Sequence, residues 1–164
     1  MKRCSIPLFA LALLAGVSSS ALAGNLGELV RGSGWDRMLG TWVDAETKGE
    51  KVKTTYAWRF EDTLIEATTK ARGMESMMLV GRHPGTGDVY LVGADNRGGA
   101  ALGKWTLDGG DAVAEIKFMT GDGTEGSVRV RHHLVDDDTL VVTIETPEPV
   151  EVKMVRAAAP EAKP

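Results

Sequence analysis

Through most of the chain apolar and polar residues alternate at period two, and short clusters of Gly, Asp, Asn, Glu and Pro interrupt the alternation. The interruptions are Glu46–Gly49, Glu61–Thr63, Arg72-Gly73, Pro84–Gly87, Asp95–Gly99, Asp108–Asp111, Gly121–Gly123, Asp136–Asp138 and Pro147–Pro149. Turn signals recurring about every dozen residues mark an all-β meander, and these nine turns separate ten candidate strands. No segment between them has the length and apolar period of an amphipathic helix. Trp35–Leu39 has room for one short helical turn before the first strand.

The second half of the chain can be paired strand by strand from the alternation alone. Around Gly109-Gly110, Trp105 falls opposite Ala114 and Leu107 opposite Ala112. Around Asp122, Ile116 meets Val128, Ala114 meets Val130 and Ala112 meets His132. Around Asp137, His132 meets Val142 and Val130 meets Ile144, and around Glu148, Ile144 meets Val152, Val142 meets Met154 and Leu140 meets Arg156. A slip of one residue would turn each apolar set outward, so the agreement across four hairpins supports the register. The other face carries Glu115, Lys117, Arg129, Arg131, Glu145 and Lys153, with Glu115 across from Arg129, as a solvated face does.

In the first half, Val52, Thr54, Tyr56, Trp58 and Phe60 share one face, which places the aromatics inside. Ile65, Ala67, Thr69 and Ala71 form the matching inward set, continued by Met74, Met78 and Val80. The phase of Val89–Ala94 stays open because a five-residue loop follows. Ten consecutive antiparallel strands either close into a barrel or split into two sheets. Closure removes exposed edges, and barrels of eight or more strands can enclose a ligand cavity. An up-and-down barrel of about ten strands is therefore the expected fold.

Composition adds an address. Lys2 and Arg3, the apolar run Ile6–Val17 and the small-x-small triplet Ala21-Leu22-Ala23 form a cleavable secretory signal, below the roughly 20 residues of a spanning helix. Cleavage is expected after Ala23, releasing a secreted or periplasmic protein. Residues 24–34 are glycine-rich and read as a flexible lead-in, residues 35–156 as the barrel domain and residues 157–164 as a disordered tail. The one cysteine, Cys4, leaves with the signal, so the mature chain has no disulfide or thiolate to offer. Loss of Lys2 and Arg3 makes the mature chain more acidic than the net −4 of the whole sequence. Mild acidity with mixed signs argues against nucleic acid or anionic lipid as a partner, and no later stretch is long and apolar enough to span a membrane as a helix.

The two ends of the domain carry a family likeness. Gly40-Thr41-Trp42 at the start of the first strand, after a short helical turn, resembles the Gly-x-Trp signature of lipocalin-type calycin barrels. The resemblance implies that an arginine from the end of the last strand faces that tryptophan, and Arg156 stands at the matching place. Leu39–Arg156 is also similar to a group of uncharacterised bacterial secreted proteins with lipocalin-like barrels. Ten strands fit the fatty-acid-binding or nitrobindin-like branch better than the eight of a true lipocalin. No nitrobindin-type glycine-rich heme motif is present, and no cofactor is expected. Gly40, Trp42 and Arg156 read as a structural signature, with a cation–π contact of about 0.5–2 kcal/mol sealing one barrel end.

His132 is the polar residue that stands out on the apolar face, between Ala112 and Val142, with Met154 one strand further. Its short neighbours leave space beside an imidazole that needs a partner, since an unpaired buried polar group costs roughly 1–3 kcal/mol. Two readings stay open: a core histidine bonded to a neighbour or water, or a ligand contact. Tyr56, Trp58, Met78, Trp105, His132 and Met154 are the candidate ligand-binding set. Met74, Met77, Met78 and Met154 would suit an adaptable pocket, but methionines also fill ordinary cores, and that is the preferred reading. His133 must face the other way, so the two histidines cannot clamp a metal. Asp136–Asp138 runs straight into a strand and lacks the spacing of a calcium loop. His83 before Pro84, and Gly121–Gly123, read as turn residues, and Gly85-Thr86-Gly87 lacks the lysine and helix of a phosphate loop. No catalytic constellation appears: Ser33, Ser76 and Ser127 lie in no nucleophile motif, and Glu115 and Glu145 face outward. The expected role is non-catalytic binding of a small apolar or amphipathic molecule inside the barrel. The alternative is a structural or interaction module whose interior is packed shut. Ligand identity and oligomeric state lie beyond the sequence.

Overall fold

The computed structural model describes residues 24–158; the signal read in residues 1–23 and the tail from residue 159 lie outside the described residues. Ten antiparallel strands follow in chain order: β1 Gly40–Asp44, β2 Val52–Phe60, β3 Leu64–Ala71, β4 Met74–Arg82 and β5 Val89–Asp95, then β6 Ala100–Asp108, β7 Asp111–Met119, β8 Glu125–Leu134, β9 Thr139–Glu145 and β10 Val150–Arg156. Each pairs with the next, and β1 pairs with β10, so the sheet closes into a barrel. Every strand finds two neighbours, while the stretches of β2 and β10 that run past the short β1 lack a strand partner on that side.

The register follows the alternation across the middle of the barrel. Trp105 pairs with Ala114, Leu107 with Ala112, Ala112 with His132 and His132 with Val142. Val52, Thr54, Tyr56 and Trp58 pair with Ala71, Thr69, Ala67 and Ile65. The phase of β5 is set by its neighbours: Leu91 pairs with Val80 and Gly93 with Met78, so Val89, Leu91 and Gly93 face inward.

Three expectations need correction. In the last hairpin Val152 pairs with Val142 and Met154 with Leu140, two residues away from the predicted pairing. The Thr146 N–H turns back to the Ile144 carbonyl (3.0 Å), so the loop closes around Pro147 rather than Glu148. A two-residue offset keeps every side chain on its face, but it moves Arg156 past Leu140 to the barrel's end, where its N–H reaches the Asp138 carbonyl. Second, Phe60 is 64 % exposed. An irregularity between Trp58 and Phe60 breaks the alternation just before the tight turn in which Thr63 N–H bonds to the Phe60 carbonyl. Third, the glycine-rich lead-in contains a helix, α1 (Leu26–Gly32).

The local reasons for α1 lie in its first and last turns. The Asn25 side chain accepts from Glu28 N–H (2.8 Å), capping the amino end, and Ser33 and Gly34 N–H close the other end on the Leu29 and Arg31 carbonyls. Leu26 and Val30 lie on one face and are buried. Gly27 donates its N–H to the Asp62 carbonyl (2.9 Å) so closely that a Cβ there would stand 2.2 Å from the Asp62 carboxylate. The helix is thereby docked on the β2–β3 turn, and Arg31 adds an ion pair to Asp62.

After α1 comes a 3₁₀ helix, Trp35–Met38, in the place expected for a short turn. Trp35 and Met38 are buried, and the Trp35 indole N–H donates to the Gly110 carbonyl in the β6–β7 turn (3.1 Å). Fully burying a large apolar side chain contributes roughly 1.5–3 kcal/mol, so Leu26, Val30, Trp35 and Met38 together make a stable plug. The barrel end that holds the β2–β3, β4–β5, β6–β7 and β8–β9 turns is closed by it.

Trp42 sits directly above this plug with none of its surface exposed. Its indole N–H donates to the Met38 carbonyl (2.8 Å), and the Arg156 guanidinium lies 4.4 Å from the ring centre. That guanidinium donates to the carbonyls of Leu39 (2.9 Å), Arg37 (2.6 Å) and Asp137 (2.8 and 3.0 Å). One cation thus joins the start of β1, the 3₁₀ helix, the β8–β9 turn and the end of β10. Gly40 is required by the same contact. Its φ of +119° disfavours any side chain, and a Cβ would stand 2.7 Å from Arg156 Nη1.

Candidate functional site

The opposite half of the barrel is hollow. A cavity of 550 Å³ runs from the end holding the β1–β2, β3–β4, β5–β6, β7–β8 and β9–β10 loops down to Tyr56, Trp105 and His132. Its existence follows from side-chain size. Inward positions at mid-height are Ala67, Gly93, Ala101 and Ala114, whereas the large groups Met38, Trp42 and Leu140 crowd the closed end. Phe118, inward on β7, packs its ring against Gly126 on β8, where a Cβ would stand 2.5 Å from the ring. Val52, Ala71, Met74, Met119, Ile144 and Val152 surround the mouth with apolar surface.

The floor carries the polar chemistry. His132 projects inward from β8 and is 7 % exposed. Its Nε2 lies 3.5 Å from the Tyr56 hydroxyl, at the outer limit of a hydrogen bond, and its ring centre lies 5.5 Å from that of Trp105, tilted by 51°. Nδ1 has no hydrogen-bond partner among the described residues. Burial pushes the His132 pKa down to about 4, opposed a little by the Ala112 backbone nearby, so the imidazole is neutral at ordinary pH. Burial also raises the Tyr56 phenol well above its usual value, so it too stays uncharged.

A second polar spot lies nearer the mouth, where the Thr54 and Thr69 hydroxyls are 3.0 Å apart on adjacent strands. Their inward pairing was legible in the alternation, but their use as a polar patch was not read from it. Asp95, at the rim, is the one charged side chain of the lining among the described residues. Its Oδ1 accepts from Arg97 and Gly99 N–H (2.8 Å each), and these bonds hold the carboxyl below its ordinary pKa.

Of the predicted ligand-binding residues, Tyr56, Met78, Trp105, His132 and Met154 line the cavity together. Trp58 does not line it: one inward step nearer the plug, opposite Ile65, it is half-buried against the core. The space beside His132 opens on the Val142 side. Ala112, expected to border it, lines a separate 300 Å³ hollow between α1 and β5–β6, and Trp105 separates the two.

Asp44 was missed by the sequence reasoning. Buried at the end of β1, its carboxylate accepts from Thr47 N–H (2.7 Å), Thr47 Oγ1 (2.6 Å), Gly49 N–H (3.2 Å) and Val52 N–H (3.0 Å). The Thr47 hydroxyl first, then those amides, hold it far below the ordinary carboxyl range despite burial. The available signal was an Asp ending a strand with Thr three residues on, a pattern that organises turns. Here it shapes the β1–β2 loop beside the mouth.

The remaining candidates are outside the cavity. His133 faces outward and meets Asp111 through Nδ1 (2.7 Å). His83 Nδ1 accepts from Gly85 and Thr86 N–H within its turn. Asp136 accepts from Asp138 N–H in the β8–β9 turn. Arg131 reaches Glu145, Asp111 and Asp108 on the outer face, and its neighbour Arg129 faces Glu115 and Glu145. Among the described residues no three His, Cys, Asp or Glu side chains converge as a metal site.

No protein-family model matches the chain, and no curated protein matches it significantly. The site's chemistry must therefore be read from its own residues.

Proposed function

We propose that this is a secreted or periplasmic, non-catalytic binder of a small apolar or amphipathic molecule, held inside a lipocalin-like barrel. The observation that carries the proposal is the 550 Å³ cavity, closed below by a packed plug and bordered by apolar side chains at its mouth. Ligand pockets span roughly 300–1,000 Å³ and are mostly apolar with a few placed polar groups, which describes this cavity and its Tyr56–His132 floor. The likeness to calycin barrels rests on Gly40, Trp42 and Arg156, and the Arg156–Trp42 contact supports it. Export rests on the Ala21-Leu22-Ala23 triplet and the apolar run before it. A mature amino terminus at Gly24, or within two residues of it, supports export; Met1 intact in the secreted fraction contradicts it.

Native mass spectrometry of protein purified from its own source tests the binding role. Retention of a small molecule that departs on gentle activation is the expected result. Protein that arrives empty, and that fails to take up the neutral dye Nile red, favours the structural or interaction module instead.

A further inference from the structure

Resting on the binding role just proposed, the lining narrows the class of ligand. Thirty of the described residues border the cavity, and none of these is lysine or arginine. The charged group among them is the Asp95 carboxylate at the rim, already engaged by two backbone amides. Every other polar contribution is neutral: the Thr54–Thr69 hydroxyl pair, Ser76, Thr120 and the Tyr56–His132 floor. A buried carboxylate or sulfate needs a cation or several charge-assisted donors to offset its lost hydration. This interior has neither, and a rim carboxylate repels an anion on entry.

The floor in turn asks for a hydrogen bond. The Tyr56 hydroxyl and His132 Nε2 stand 3.5 Å apart, and Nδ1 has no partner among the described residues. Incompletely satisfied polar groups in an apolar cavity favour a ligand that completes them. Tyr56 can accept from a ligand hydroxyl while donating to the imidazole, or donate to a ligand carbonyl while the imidazole donates to it. The first arrangement takes a neutral hydroxyl, and in the second the lack of a nearby cation favours a neutral carbonyl over a carboxylate.

We infer that the cavity selects an uncharged amphipathic molecule with a hydroxyl or carbonyl group, inserted polar end first onto Tyr56 and His132, and discriminates against the carboxylate of equal chain length.

Competition for bound Nile red at pH 8 by 1-dodecanol, dodecanoate and dodecane tests this with the wild-type chain. Dodecanol is expected to bind at least tenfold more tightly than dodecanoate and several-fold more tightly than dodecane. Tyr56→Phe should remove the advantage of dodecanol over dodecane. Dodecanoate binding as well as or better than dodecanol overturns the selectivity while leaving the binding role intact. So does dodecanol matching dodecane in the wild type. Failure of Nile red itself to bind overturns both. The chain-matched comparison needs no variant, so a poorly folding Tyr56→Phe would not shield the proposal.

Discussion

The two ends of this barrel are built from the same kind of strand and solve opposite problems. At the closed end, α1, the 3₁₀ helix, Trp42 and Arg156 bring large side chains together and give each polar group a partner. At the open end the inward positions are small, Phe118 packs against Gly126, and the loops leave the interior reachable. Closed packing fixes the shape of the barrel, and the open half is free to stay hollow because stability is concentrated elsewhere. Substitutions should therefore divide by end: costly to folding below the floor, costly to binding above it.

The largest effect should come from Trp42→Ala. Removing a fully buried indole leaves a void beneath Arg156, and such changes cost about 3–5 kcal/mol. Urea unfolding should show it as a lower midpoint with an unchanged slope; a loss under 1 kcal/mol would mean that the plug does not depend on Trp42.

Next comes His132, which lies at the boundary between the halves. Its folded pKa is depressed to about 4 from the ordinary 6.5, so the unfolded chain takes up a proton first as pH falls. Stability contributed by the neutral imidazole is complete above about pH 6.5 and is lost as pH falls toward 4, by about 3 kcal/mol at most. Unfolding curves between pH 7.5 and 4 should show that decline, and His132→Phe should flatten it. The same substitution should weaken Nile red binding by narrowing the cavity. An identical pH profile in the variant would show that His132 is not buried as a neutral group.

Smaller again, Arg156→Ala should cost about 1–3 kcal/mol, since it leaves the Leu39 and Arg37 carbonyls and the Trp42 face without their cation. It should cost less than Trp42→Ala. A reversed order would place the strength of the closed end in the guanidinium rather than in the indole. At the mouth, Met119→Ser should change stability by no more than about 0.5 kcal/mol, as exposed substitutions do. A larger loss would show that the rim is structural.

Much of this division was legible in the alternation of side chains, though not all of it. Period two put Tyr56, Trp105, His132 and Met154 on one face, because a strand has only two faces and the apolar set must take the inner one. Face assignment tolerates a two-residue error, which is why the β9–β10 register shifted while Met154 stayed inside. Phe60 escaped because a local irregularity is invisible to a periodic template. The helix α1 escaped because seven residues are too few to be helical alone; its docking on Asp62 supplies what propensity does not. Its signals, Asn25 before Leu26 and Leu26 with Val30, were present but short. The separation of Ala112 from the main cavity depends on where Trp105 points, a matter of barrel curvature that no alternation encodes.

An apolar patch outside the barrel makes binding experiments ambiguous unless the interior is changed alone. Val92 and Leu102 pair across β5 and β6 with their side chains outward and exposed, and Met77 lies nearby on β4. The direct measurement is therefore a Nile red titration of the wild type beside a variant with the cavity partly filled, Val130→Trp, with thermal unfolding confirming that the variant folds. Val130 pairs with Ala114 and Ile144, and all three line the cavity. A hollow barrel predicts saturable binding to the wild type with one site, and at least tenfold weaker binding to a folded Val130→Trp. Equal affinity for the two proteins would place the dye on the outer patch and contradict a binding interior.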